Sequence, residues 1–156
     1  MSDFDVVRSS LVDYFRMVQS RVDELTQPLS TEQLWRKPYP YGNSIAILIK
    51  HLTGNLNYYI GEQIASTGYV RHRDQEFDDS GGGKSKAELL SAFHDAIATV
   101  VRAVSVQSDR DWSAPCHAER ADATTRFGQV LACAGHAYHH VGQLIYLQRE
   151  LLSEGG

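Results

Sequence analysis

Four stretches of this chain repeat apolar residues at steps of three and four, and no convincing strand pattern stands beside them. That spacing covers one face of an α-helix, so the fold is constrained before composition is considered. The first stretch runs from about Phe4 to Thr26, through Phe4, Val7, Leu11, Tyr14, Phe15, Val18, Val22 and Leu25. Pro28 and the turn Leu29-Ser30-Thr31-Glu32 end it. Ser30 or Thr31 caps a short turn through Gln33-Leu34-Trp35, which Pro38 and Pro40 keep from extending. Tyr41-Gly42-Asn43-Ser44 then breaks and caps a second helix, expected from about Ser44 to Ser66. This helix is apolar on more than one side, through Ile45, Ile47, Leu48, Ile49, Leu52, Leu56, Tyr59, Ile60 and Ile64, and belongs at the centre of the fold. Gly54 and Gly61 inside it each lower helix propensity by about 1 kcal/mol, which predicts close helix contacts there.

A polar connection follows from Tyr69 to Lys84, ending in a glycine triplet, and reads as a lid over one end of the molecule. Ser85 with Glu88 forms a capping-box pattern for a third helix reaching about Val106. It buries Leu89, Leu90, Phe93, Ile97, Val100, Val101 and Val104. The segment Gln107 to Thr124, with Trp112, Pro115, Cys116 and His117, reads as a loop or a short hairpin. A fourth helix, from about Thr125 to Leu152, presents Phe127, Val130, Leu131, Ala134, Tyr138, Val141, Leu144, Ile145 and Leu151. The expected architecture is one all-α domain over residues 1–156, a four-helix bundle whose long second connection suits a crossover between parallel helices.

A hydrophobic fraction of 42% with 22% charged residues is that of an ordinary globular protein. The net charge of -4 and the scattered Lys and Arg give no footprint for nucleic acid. No apolar run approaches the roughly 20 residues of a membrane span, and the start lacks a signal-peptide pattern, so a cytoplasmic protein is expected. Two cysteines without CxxC spacing, Cys116 and Cys133, are expected as thiols.

Chemistry concentrates in Gly135-His136-Ala137-Tyr138-His139-His140-Val141-Gly142-Gln143. His136 and His140 are four residues apart, hence on one helical face about 40° apart, where two imidazoles close on one divalent ion. His139 points about 100° away from His140. His51, in the equally apolar Ile45–Leu52 stretch, is the third candidate if the two most apolar helices are neighbours. Three inward histidines would make an open metal site. The competing reading is a hydrogen-bonded core histidine at 51 and polar helix edges at 136 and 140. The residue after His136 is Ala137, not the glutamate of the metalloprotease motif, so no general base comes with this helix. His72, His94 and His117 read as surface residues, of which His72 or His117 would border the site if their loops cover it. Gly142 in mid-helix calls for a close backbone neighbour, and Gln143 reads equally as a residue that hydrogen-bonds a group behind the metal ligands or as a solvated amide. Cys133 shares the face of His136 and would close the site as a fourth ligand, making it structural.

Asn43-Ser44-Ile45 opening the second helix, His51 within it, and His136-x-x-His139-His140-x-Gly142-Gln143 in the fourth resemble the DinB-like (DinB/YfiT-like) superfamily of metalloenzymes. The Arg73-Asp74-x-Glu76-Phe77 loop and the Gly-Gln-Leu-Ile-Tyr-Leu continuation look like one branch of it. The resemblance implies an up-down-down-up four-helix bundle and a divalent ion, zinc or nickel, on His51, His136 and His140, with His139 as the alternative register. It also implies a homodimer, for which Trp35, Tyr39 and Tyr41 are the exposed aromatics to consider. Some relatives transfer low-molecular-weight thiols and others act as hydrolases. Three imidazoles leave a position for a thiol or water whose pKa the ion lowers. The expectation is therefore a metal-dependent enzyme acting on a small molecule, first a thiol-dependent transferase, with a hydrolase or a non-catalytic binding module as alternatives.

Overall fold

The computed structural model describes residues 3–79, 83–116 and 122–153. Its long helices are α1 (Asp3–Thr26), α3 (Ile45–Leu56), α5 (Lys86–Ser105) and α7 (Arg126–Ser153). Three short ones, α2 (Thr31–Trp35), α4 (Arg73–Glu76) and α6 (Asp109–Ser113), lie in the connections. No strand occurs among the described residues; an isolated bridge pairs Pro115 with Thr125 where a hairpin was one expectation. The rest of that segment holds α6, whose capping box joins Ser108 to Asp111 and whose Trp112 is buried. His117 lies outside the described residues.

Local signals set the helix starts. Ser30, Ser44 and Ser85 each accept the backbone N–H three residues on, and Gln33 and Glu88 complete the boxes at the first and third. Pairwise contacts then give helix directions. Asp23 meets His94 while Arg8 reaches the carbonyl of Gln107, so α1 and α5 run antiparallel. His51 meets His136 while the carbonyl of Tyr59 meets Gln129, so α3 and α7 are also antiparallel. Thr99 packs on Gly61 and Leu89 lines a cavity with Lys50, which makes α3 and α5 parallel and explains the long connection between them. All four long helices contribute to one core, with Phe15, Phe93, Leu52, Leu56, Ile60 and Leu144 fully enclosed.

The second helix departs from expectation. After Leu56 it continues as a π-helix over Asn57–Glu62, with Gln63 N–H donating to the carbonyl of Tyr58 at 3.0 Å. The cause is visible in Leu48, Leu52, Leu56, Ile60 and Ile64, all buried and all spaced by four. At 3.6 residues per turn such a row drifts by about 40° per step, or about 160° over four steps. One extra residue in the turn takes back about 100°, which keeps Ile60 and Ile64 in the core.

The buried face of α7 also differs from the predicted one. Val130, Cys133, Ala134, Ala137, Val141, Leu144, Leu147 and Leu151 are enclosed, whereas Phe127, Leu131 and Tyr138 are exposed. Small Ala134 and Ala137 bring α7 near its neighbours, and Tyr138 stands outside them against Tyr14 at 6.1 Å. Phe4, in the first turn of α1, is likewise exposed. Of the aromatics considered for a dimer, Tyr41 is exposed, while Trp35 and Tyr39 are half-buried within the chain. Trp35 donates its indole N–H to the carbonyl of Lys84 and lies under the ammonium of Lys50.

Candidate metal centre

His51 on α3 and His136 and His140 on α7 bring their Nε2 atoms together. His136 Nε2 lies 3.1 Å from Nε2 of His51 and 3.1 Å from Nε2 of His140. The three rings are nearly perpendicular in every pairing, at 78°, 84° and 88°. His51 is buried and the other two are half-buried. They form a group of donors able to hold a metal ion, with one ligand atom from each lying within 4.8 Å of the others.

The Nδ1 sides explain why Nε2 faces inward. His51 Nδ1–H donates to Glu76 Oε2 at 2.9 Å, and His140 Nδ1–H donates to Gln143 Oε1 at 2.6 Å. Both rings are thereby held in the tautomer that leaves a lone pair on Nε2. Both lone pairs then face His136 Nε2, where one N–H serves only one of them. A cation satisfies all three. Ligand nitrogens about 2.05 Å from an ion lie about 2.9 Å apart at right angles and about 3.35 Å apart at tetrahedral angles. The two separations at His136, 3.1 Å each, fall inside that interval and the third pair of ligand atoms lies within 4.8 Å, so the donor set is of a size for a divalent ion.

Glu76, quoted above only within the loop that carries the resemblance, is the site residue to which sequence reasoning gave no role. It stands on α4 in the connection, buried, and accepts from Arg71 Nε at 2.7 Å and Arg71 Nη2 at 2.9 Å as well as from His51. Burial alone would raise its pKa, but the hydrogen bonds from His51 and Arg71 prevail and hold it below the usual glutamate value. Arg71 is in turn flanked by the rings of Tyr58 and Tyr59, at 5.9 and 5.6 Å, both on the π-helical turn. Gly54 gives the carboxylate its seat: a Cβ there would overlap Glu76 Oε1. The predicted close contact at Gly54 is thus made by the connection, and the one at Gly61 by Thr99 of α5. Gly54 together with a glutamate in a short Arg-x-x-x-x-Glu spacing was the available signal.

The remaining candidates separate cleanly. His139 is exposed and stacks edge-on to His140 at 5.1 Å, outside the convergent group. Cys133 is fully buried one turn before His136 and is not part of the group either. Cys116 and Cys133 are thiols, not joined in a disulfide. His94 pairs with Asp23, and exposed His72 borders a cavity on the far side of Glu76. Gln143 holds His140, the orienting role that was one of its two readings. Gly142 has open space where its side chain would stand, contrary to the predicted close approach, and nothing in the structure explains that glycine. Burial is the main cause that lowers the pKa of His140, which favours the neutral imidazole a metal requires.

Two cavities flank the cluster. One of about 510 Å³ lies between α3, the connection and α5, and includes Lys50, Lys84, His72 and Glu76. The other, of about 340 Å³, lies beside Gln143 between α7 and the loop before α3. No helix among the described residues is long and apolar enough to cross a membrane.

Residues 5–155 match the family described as Protein of unknown function (DUF1572), and the chain belongs to that family. Among solved structures it is similar to the "conserved protein of locus from Enterococcus faecalis", with a TM-score of 0.76 at 16% identity, covering 98% of this chain and 99% of that one. That likeness concerns the fold. No curated protein matches.

Proposed function

We propose that this protein is a DinB-like metalloenzyme, a four-helix bundle of up-down-down-up order that acts on a small molecule by thiol-dependent group transfer. The observation that carries the reading is the convergence of three Nε2 atoms with two of the Nδ1 atoms already committed. The helix directions derived above support the bundle order. His51, His136 and His140 would hold zinc or nickel, and the ion would supply Lewis acidity to a thiol or water brought to its open position.

Glu76 favours thiol over water as the nucleophile. The carboxylate nearest to hand is engaged by His51 and doubly by Arg71, so it is poorly placed to take a proton from water. A thiol begins from a pKa of about 8.5, against about 15.7 for bulk water, so on the same ion it depends less on such a base. A homodimer is part of this reading through resemblance alone, and a cytoplasmic location through the sequence pattern given at the outset.

The test has two stages. Elemental analysis of protein purified without nickel affinity should give one divalent ion per chain, lost in a His136→Ala/His140→Ala double variant. The reconstituted protein is then screened with common cellular thiols against an electrophilic reporter, alongside ester substrates. Turnover that survives both chelation and the double variant would remove the metal from the mechanism. Thiol binding without turnover would leave a binding module, and ester cleavage without thiol would make it a hydrolase.

A further inference from the structure

We infer that the cavity of about 340 Å³ beside Gln143 is a subsite for an uncharged aromatic group of the small-molecule substrate. The inference rests on the metalloenzyme reading for its role, though the cavity itself does not depend on a metal. Its walls come from three tyrosines, two leucines, Gly42 and the amides of Asn43 and Gln143, with no charged side chain. Tyr39 and Tyr41 are stacked, with ring centroids 5.6 Å apart and planes 12° from parallel. Tyr41 is 86% exposed, so this loop holds a large aromatic ring in water beside the cavity mouth. Tyr146, across the cavity on α7, is 70% exposed. Aromatic rings kept in water at the lips of a recess form stacking surfaces for a planar guest.

The polar end of the cavity adds direction. Gln143 turns its Oε1 to His140, leaving the amide nitrogen as the end that can donate to a guest. Leu48, on the cavity wall, is three residues before His51, and Gln143 is three after His140. The cavity therefore opens along the same α3–α7 seam that carries the histidines. Its volume accommodates a guest the size of one substituted ring. The other cavity differs in being lined by charged side chains of both signs, Lys50 and Lys84 with Glu76 and Asp78.

Two measurements test this separately from the metal. In the first, benzyl alcohol and benzoate are titrated into metal-free protein, followed by backbone and side-chain amide NMR. Benzyl alcohol should shift Gly42, Asn43 and the side-chain amide of Gln143, with binding at least about tenfold weaker in Tyr146→Ala. Benzoate binding the same residues equally well, or shifts gathered elsewhere, would overturn the inference. In the second, Co(II)-loaded protein is titrated with benzyl mercaptan and 2-mercaptoethanol, read by cobalt absorption. Benzyl mercaptan should bind about tenfold tighter, and Tyr146→Ala should erase that preference while leaving cobalt stoichiometry at one. A preference that persists in Tyr146→Ala would place the aromatic group outside this cavity and overturn the role. Absence of cobalt uptake would remove the metalloenzyme reading, while the NMR titration would still decide the cavity.

Discussion

His51 and His140 receive the same service from opposite kinds of support. His51 leans on Glu76, a buried carboxylate fixed twice by Arg71, which is flanked by two tyrosines. His140 leans on Gln143, a neutral and exposed amide on its own helix. A buried carboxylate must arrive with its counter-charge already in place, so the first support draws on α3, the π-helical turn and the connection together. The second needs only helical spacing of three residues, and water is available to substitute for it. One side of the cluster is thus tied to the fold, and the other is open to exchange. The flanking cavities repeat the contrast, charged behind Glu76 and uncharged beside Gln143.

The largest test of that asymmetry is Glu76→Ala. It leaves Arg71 nearly buried without its carboxylate, and urea unfolding of the metal-free protein should register a loss of about 3 kcal/mol. Metal affinity, followed by competition with a chelator of known strength, should fall by about 10- to 100-fold. Next comes Gly54→Ala, where the added methyl contests the seat of Glu76 while improving helix propensity by about 1 kcal/mol. Affinity for the ion should drop about tenfold with little change in the unfolding midpoint; an unchanged affinity would show that Glu76 can orient His51 from another position.

Gln143→Ala should be milder, weakening metal binding only a few-fold, with stability within about 0.5 kcal/mol of the parent. A loss equal to that of Glu76→Ala would abolish the distinction between the two sides. The smallest effect is expected from His139→Ala, which should retain the ion at full stoichiometry and unchanged affinity by the same competition assay. Retention in His140→Ala combined with loss in His139→Ala would reverse the assignment of the doublet.

What the sequence carried, and what it did not, follows the range of the interactions. His136 and His140 were legible because four residues on a helix is a fixed geometry, and His51 because an apolar helix must sit beside another. The helix starts at Ser30, Ser44 and Ser85 were legible for the same local reason. Glu76 was hidden because its partner is 25 residues away and its own surroundings read as polar loop. Its burial depends on Arg71 and Gly54 being delivered to one point, which no periodicity encodes. The exposed Leu131 and Tyr138 misled in the opposite sense, since an apolar residue at a helical step need not face the core. The π-helical turn had a signal, the row of apolar residues at constant steps of four, but that row resembles an ordinary helix until the drift is summed.

That π-helical turn sets where the protein can change length, in a way that its composition does not reveal. Between Asn57 and Glu62 the chain holds one residue more than an α-helix has room for. Removing any one of them would let the helix wind evenly and could even strengthen its local hydrogen bonds. Residues beyond the turn would keep the directions they now have, because the turn already takes back the roughly 100° that its extra residue contributes. A deletion in the α-helical part before it, within Ile45–Leu56, would instead swing Ile60 and Ile64 about 100° away from the core. The cost of a deletion inside the turn would fall on Tyr58 and Tyr59, which flank Arg71, and on the carbonyl of Tyr59 that meets Gln129 of α7. The spare residue is therefore the place where the chain can change count by one and keep its register.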